Sequence, residues 1–278
     1  MPELPEAEIT KRKLEPLLKG KRILLVRRSL GKGGNLWKKI SGVERRGKAI
    51  LIWLEPKLGV EASYLLAFHM RMSGKLLMVN RNHHDKYIRR RFQLSDGKDL
   101  AFHDVRRFGV VWYGKAKKVL QDNYFKTLGE DALAISLEGL KKLLNAKSIT
   151  PLIPLTLRGT KIKSFLLNQK NIAGIGNICA DEILWKAKIH PERKISDLND
   201  NEIKTLWSSL RAVLLLSIKL GGSSMRDWFH PDGDSGGYFE KRAVYGRAGK
   251  KCFSCKSLIN KSKVAGRGTY FCKVCQKK

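Results

Sequence analysis

Four cysteines near the C-terminus, Cys252 and Cys255 followed by Cys272 and Cys275, form two C-x2-C pairs with sixteen residues between them. Each pair can deliver two thiolates to one tetrahedral Zn2+, and four thiolates close the coordination sphere with no position left for water. The expectation is one structural zinc ion without a catalytic role. Lys251, Lys256, Lys261, Lys263, Arg267 and Lys273 crowd around these cysteines, so a metal-stapled hairpin should present cations to a polyanion. The fifth cysteine, Cys179, reads as a buried core thiol.

At the other end stands Pro2-Glu3-Leu4-Pro5-Glu6. The two acids complement a helix dipole, and a proline at position two predicts removal of Met1. That removal leaves a secondary amine as the terminus. An α-amino group with a pKa of about 7.7 to 8.0 is roughly a tenth free base at pH 7, whereas a lysine near 10.4 is below about a tenth of a percent. Such an amine is a ready nucleophile for a sugar C1′, closing to an iminium. A third candidate is Gly174-Ile175-Gly176-Asn177, which follows Asn168-Gln169-Lys170-Asn171 and opens a helix at Ile178. Backbone N–H groups at such a start can receive a phosphate, although Gly-x-Gly turns also serve plain packing.

The charge balance favours the phosphate. Lys and Arg total 56 against 25 Asp and Glu, a formal net charge of +31. Such a surplus destabilises a compact chain by self-repulsion unless a polyanion neutralises it, and nucleic acid is the obvious partner. At 42% hydrophobic and 29% charged residues the composition is globular. The start, MPELPEAEITKRK, has no apolar core of a secretory signal, and the longest apolar stretch, Ala212 to Leu216, is too short to span a bilayer. The expectation is a cytoplasmic, nucleoid-associated protein without membrane contact. In a reducing compartment its cysteines are ligands or core residues.

These groups need a scaffold. Residues 1 to 20 read as a short helix ended by Pro16 and Gly20. Seven β-rich runs follow between turn signals: Ile23 to Val26, Ala49 to Leu54, Tyr64 to Phe68, Leu76 to Val79, Tyr87 to Leu94, Leu100 to His103 and Val110 to Tyr113. Seven or eight strands fit a β-sandwich. From about Lys115 the spacing turns helical, with runs at Leu137 to Leu144, Ile162 to Leu167, Ile178 to Ala187 and Ile203 to Leu220. The expected layout is an α+β multidomain chain. A β-sandwich with a flanking helix occupies 1–126, a helical domain 134–220, a Gly- and Asp-rich loop and connector 221–249, and a four-cysteine zinc module 250–278.

Taken in order, MPELPEAE, Arg45-Arg46-Gly47-Lys48, His69-Met70-Arg71-Met72-Ser73-Gly74, Asp104-Val105-Arg106-Arg107-Phe108-Gly109, Gly174-Ile175-Gly176-Asn177 with Asp181-Glu182, Val244-Tyr245-Gly246-Arg247 and Ala265-Gly266-Arg267-Gly268-Thr269 span the whole chain. With the zinc spacing, this series resembles the formamidopyrimidine-DNA glycosylases, which excise oxidised purines and cut the abasic strand. The resemblance implies an N-terminal β-sandwich, a helix-two-turn-helix domain and a C-terminal β-hairpin zinc finger acting on double-stranded DNA as a monomer. It implies Pro2 as nucleophile, Glu3 as the acid that protonates the ribose ring oxygen or shuttles protons during elimination, Glu6 as a support for the sugar, and Lys48 as a contact to the lesion or its flanking phosphate. Met72, Arg106 and Phe108 would fill the gap left by the extruded base. Lys170, Asn177 and Arg267 would clamp phosphates, and residues 221 to 238, especially Ser223, Ser224, Met225, Arg226 and Asp227, would close over the flipped base.

The chain departs from the usual pattern at Ala7 in place of Val, Val105 in place of Pro, Trp228 in place of Tyr and Cys179 in place of Tyr. Trp228 falls in the lesion-capping loop, which bears on base preference. Leu4 argues against the endonuclease VIII-like branch, which tends to carry Gly there. Pro2 and Glu3 argue against a damage-binding protein without catalysis.

Overall fold

The computed structural model describes residues 2–28, 34–55, 63–144, 159–223 and 228–278. The chain forms two compact units: Met1–Thr127 with Ser217–Phe239, and Leu128–Leu216 with Glu240–Lys278.

The first unit opens on α1 (Leu4–Leu18), whose start is fixed by a reciprocal cap. The extended Glu3 accepts the Glu6 backbone N–H through its side chain, and the Glu6 side chain accepts the Glu3 N–H in return. Leu4, Ala7, Leu14 and Leu18 are fully buried along one face. The expected stop at Pro16 is corrected: the helix runs through Pro16 to Leu18. In the last turn, proline removes a single backbone bond, which the two residues beyond it tolerate. Gly20, with φ +83°, then turns the chain away.

Eight strands follow: β1 (Arg22–Arg28), β2 (Gly34–Arg46), β3 (Ala49–Leu54), β4 (Tyr64–His69), β5 (Gly74–Asn80), β6 (Ile88–Leu94), β7 (Lys98–Asp104) and β8 (Val110–Lys115). They hydrogen-bond in the order β5-β7-β6-β1-β2-β3-β4-β8, and every pairing is antiparallel. β2 joins the two halves. Its first part pairs with β1 and its second with β3, and the register slips between Ile40 and Gly42. The ladder closes on itself as the expected sandwich: Phe68 of β4 meets Phe92 of β6 at 5.4 Å and Phe102 of β7 at 5.6 Å. Two short helices, α2 (Ala116–Leu120) and α3 (Asn123–Lys126), follow the last strand.

The second unit pairs β9 (Glu130–Asp131) with β10 (Ile172–Ala173) in parallel. Its helices are α4 (Leu137–Leu144), α5 (Ile162–Leu167), α6 (Asn177–Lys186) and α7 (Asp200–Lys219), the last of which extends into residues of the first unit. A further short helix, α8 (Tyr238–Lys241), precedes the hairpin of β11 (Asn260–Val264) and β12 (Arg267–Phe271). Val264 pairs with Arg267 across Ala265 and Gly266, which have φ of +49° and +73°. That is the conformation a two-residue hairpin loop of the primed type demands. No helix among the described residues is long and apolar enough to cross a membrane.

Candidate active site

Pro2 is buried against the start of α1, with Glu3 and Glu6 only 2% and 3% exposed. Glu6 holds two strands of backbone at once: its Oε2 accepts the Glu3 N–H at 2.7 Å and its Oε1 accepts the Ser223 N–H at 2.7 Å. The base of the 221–238 loop is therefore tied directly to the start of α1, beside Pro2 and Glu3. Gly222 permits the approach, with φ +76° and space so tight that a Cβ would lie 2.9 Å from Glu6 Oε1. Burial, reinforced by the charge of Glu3, pushes the Glu6 carboxyl up to about 7. Sequence motifs name Glu6 and Ser223 separately, but nothing in them shows that residues 217 positions apart share a bond.

Lys48 lies in the turn between β2 and β3, where Arg46 pairs with Ala49 and Gly47 supplies φ +59°. Although a turn lysine is ordinarily solvated, this one is only 6% exposed. Arg45 fixes the turn by donating Nη1 to the Gly47 carbonyl at 2.9 Å and Nε to Glu8 Oε2 of α1 at 2.8 Å. Against the upward push of burial, Arg45 and then Arg12 hold the Glu8 carboxyl below its ordinary range. His69 closes the neighbourhood. Burial, with Arg71 and Lys48 nearby, pushes its imidazole down to about 3, so it is neutral at working pH. The Arg71 N–H donates to its Nδ1 at 3.0 Å, which leaves the ring proton on Nε2. The sequence places His69 within a motif but shows no role for it.

Met72, Arg106 and Phe108 sit on two turns locked together. Ser73 Oγ donates to Asp104 Oδ1 at 2.6 Å and accepts the Arg106 N–H at 3.1 Å, while Asp104 Oδ2 accepts the Gly109 N–H at 2.7 Å. Met72 is 40% and Phe108 53% exposed, so neither is a core residue. The Arg106 guanidinium lies 5.0 Å from the centre of the Phe108 ring.

In the second unit, the Gly268 carbonyl is a hub: it accepts Asn177 Nδ2 at 3.0 Å and Lys163 Nζ at 3.1 Å. Lys163 is fully buried, 2.6 Å from Asp181 Oδ1 and 2.9 Å from Thr269 Oγ1, and Asp181 Oδ2 accepts the Tyr270 N–H at 2.9 Å. Glu182 gathers the N–H groups of Ala243, Val244 and Tyr245 at 2.7, 2.9 and 2.8 Å. Burial pushes both acids above the usual carboxylate range, and the surrounding donors oppose it. The network binds α5 and α6 to the hairpin and leaves Lys170 and Arg267 exposed. Lys163 escapes a reading of the sequence because a lysine between apolar residues carries no sign of being buried.

Cys252, Cys255, Cys272 and Cys275 converge, with Sγ atoms within 4.8 Å of one another. Two of the separations are 3.9 Å (Cys252 to Cys275) and 3.4 Å (Cys255 to Cys272). A tetrahedron with metal–sulfur bonds of about 2.3 Å has edges of about 3.8 Å, so the four thiols are spaced to hold one metal ion. Cys179 is 3% exposed, a core thiol as expected. Ser224, Met225, Arg226 and Asp227 lie outside the described residues. Trp228, at the edge of that loop, is 5% exposed with its ring edge-on to His230 at 5.2 Å.

Comparison with known proteins matches residues 1–111 to the formamidopyrimidine-DNA glycosylase N-terminal domain and 138–228 to the formamidopyrimidine-DNA glycosylase H2TH domain. The formamidopyrimidine-DNA glycosylase of Rickettsia massiliae is 35% identical, over 99% of this chain and 97% of its own. That of Halalkalibacterium halodurans is also 35% identical, over the full length of both. A structure of the Lactococcus lactis enzyme with DNA containing an abasic site superposes with a TM-score of 0.85 at 33% identity, covering 99% of this chain and 100% of that one. A point mutant of the Lactococcus lactis enzyme, with DNA containing Fapy-dG, gives 0.84 at 32% identity over both full lengths. About a third of the residues are thus shared from end to end, and the chain belongs to the formamidopyrimidine-DNA glycosylase family.

Proposed function

We propose that this protein is a bifunctional DNA glycosylase and abasic-site lyase of base excision repair, which removes 8-oxoguanine and formamidopyrimidines from duplex DNA. The observation that carries the reading is the full-length family match in a chain that keeps Pro2 and Glu3 at a buried, capped helix start. With Met1 removed, the Pro2 nitrogen attacks C1′ and the glycosidic bond breaks, its electron pair leaving with the base, which takes up a proton. Glu3 protonates the ring oxygen as the sugar opens to the iminium. Loss of a C2′ proton then expels the 3′ phosphate, a second elimination expels the 5′ phosphate, and water frees the amine.

Lys48 contacts the lesion or the phosphate beside it, and Glu6 supports the sugar side of the site by holding Ser223 and Glu3 in place. Met72, Arg106 and Phe108 occupy the vacated stack, Lys170, Asn177 and Arg267 hold the kinked strand, and Arg226 belongs to the loop that closes over the flipped base. The four cysteines hold one Zn2+, which supplies folding and no chemistry. Strand-nicking assays on duplexes containing 8-oxoguanine, formamidopyrimidine, thymine glycol or an abasic site test the assignment. Preferential cutting at thymine glycol over the oxidised purines would contradict it.

Opposite the lesion, Arg106 can only donate, and an orphaned cytosine offers O2 and N3 as adjacent acceptors, whereas adenine sets an amino donor against the guanidinium. A good bidentate contact is worth about 1 to 3 kcal/mol, roughly a 5- to 150-fold preference. Single-turnover excision of 8-oxoguanine should favour C over A by that factor, and Arg106→Ala should bring the ratio toward one with little loss of abasic-strand cleavage. An unaltered ratio would reject the role.

A further inference from the structure

Beyond Trp228, the 221–238 loop carries a histidine and two acids at alternate positions, His230, Asp232 and Asp234, which the proposed chemistry does not use. One ring nitrogen of His230 and one carboxylate oxygen from each acid lie within 4.8 Å of one another. Alternate residues of a short turn can bring three ligands onto one cation. The turn is closed by its own backbone: the His230 N–H donates to the Asp234 carbonyl at 2.8 Å, and the Gly233 N–H to the His230 carbonyl at 2.9 Å. The Met78 N–H of β5 donates to the Pro231 carbonyl at 2.9 Å and so holds the turn on the sandwich.

His230 is 5% exposed, and its Nε2 lies 2.7 Å from the Gly221 carbonyl. A carbonyl can only accept, so the ring proton sits on Nε2. Nδ1 is left with a bare lone pair, buried and without a hydrogen-bond partner among the described residues. An imidazole that spends its one N–H on a backbone carbonyl and keeps the other nitrogen bare is in the state a metal ion requires. The acids beside it already receive a cation. Lys13 Nζ of α1 lies 2.5 Å from Asp232 Oδ2 and 3.2 Å from Asp234 Oδ2. One ammonium balances only one of two carboxylates, and its stem, 30% exposed, is free to withdraw into solvent.

We infer that His230 Nδ1, Asp232 and Asp234 bind one divalent transition-metal ion of the Mn2+ type in exchange for the Lys13 ammonium. One imidazole nitrogen with two carboxylate oxygens suits that class, whereas Ca2+ and Mg2+ favour oxygen alone. Three protein ligands leave positions for water, unlike the closed set of four thiolates. Competition from Lys13 makes the ion exchangeable, so dialysis removes it while the thiolate site keeps its own. The inference goes beyond the repair reaction and adds a cation to the loop's anchorage. Gly221, which His230 holds, precedes Gly222 and Ser223, and the Ser223 N–H is the group that Glu6 accepts.

Manganese titration of the zinc-loaded, full-length protein, followed by electron paramagnetic resonance, tests the site, because Mn2+ does not displace Zn2+ from four thiolates. One Mn2+ per chain should bind, and pulsed spectra should show coupling to a single imidazole nitrogen. His230→Gln should abolish that coupling and weaken binding by at least about tenfold. Asp232→Asn changes an exposed side chain, where folding is not at stake, and should weaken binding to a like degree. Lys13→Gln should act in the opposite direction, tightening Mn2+ by about two- to fivefold, the worth of an exposed ion pair. A plain salt bridge predicts no such gain. Absence of binding, Mn2+ bound without nitrogen coupling, native affinity in Asp232→Asn, or no tightening in Lys13→Gln would each overturn the inference.

Discussion

Glu3→Gln should leave a folded, DNA-binding protein whose base excision has fallen by about 10^2- to 10^4-fold, the range for losing a positioned proton donor. The structure explains why so small a change is informative. Glu3 caps α1 through an acceptor oxygen, and a glutamine keeps that oxygen while losing the ability to hand over a proton. Replacement by Ala would confound the result by removing the cap, at about 0.5 to 2 kcal/mol of stability. The measurement is single-turnover excision of 8-oxoguanine beside binding to an abasic analogue. Loss of both in proportion would mean that Glu3 serves only the helix.

Removing the metal should have a different signature. One Zn2+ per chain is expected by elemental analysis, and its binding free energy, of order 10 kcal/mol for structural sites, is folding free energy of the hairpin. An isolated two-stranded hairpin is marginal in water. The buried packing beneath β11 and β12 includes Val244, Ile259, Cys252 and Cys272, so two of these four buried members are thiols of the proposed zinc site. Chelation, or Cys272→Ser, should disorder Arg267 and the Gly268 carbonyl that holds Asn177. Affinity for all duplexes should fall by roughly 10- to 150-fold, the worth of one charged hydrogen bond, while excision at saturating protein changes little. Zinc-free protein with native affinity would refute this.

Several site groups were legible because chemistry restricts them to particular residue types. The C-x2-C pairs and the cationic surplus each have few alternative explanations, whereas Pro2 and Glu3 read equally as a plain helix start and stood out only through the resemblance. The helices at Leu137–Leu144 and Ile162–Leu167 were readable from periodicity alone. β2 was not, because Lys38, Lys39, Glu44, Arg45 and Arg46 break up its alternation while Ile40 and Val43 still face inward. Lys38 is buried on that strand with its ammonium 3.8 Å from the centre of the Tyr64 ring, a contact that no local pattern announces. The same holds for Lys163 and for the bond from Glu6 to Ser223, since pairings made by tertiary structure over 100 or more positions leave no periodic trace.

The proposed chemistry depends on the amine of Pro2, and covalent trapping tests that amine most directly. Sodium borohydride added during turnover on abasic or 8-oxoguanine duplex should reduce the iminium to a stable adduct. Peptide mass spectrometry should then place the sugar remnant on the N-terminal peptide that begins with Pro2, and a form with an extended or uncleaved N-terminus should give none and be inactive. An adduct on a lysine such as Lys48, or full activity with a blocked terminus, would contradict the mechanism.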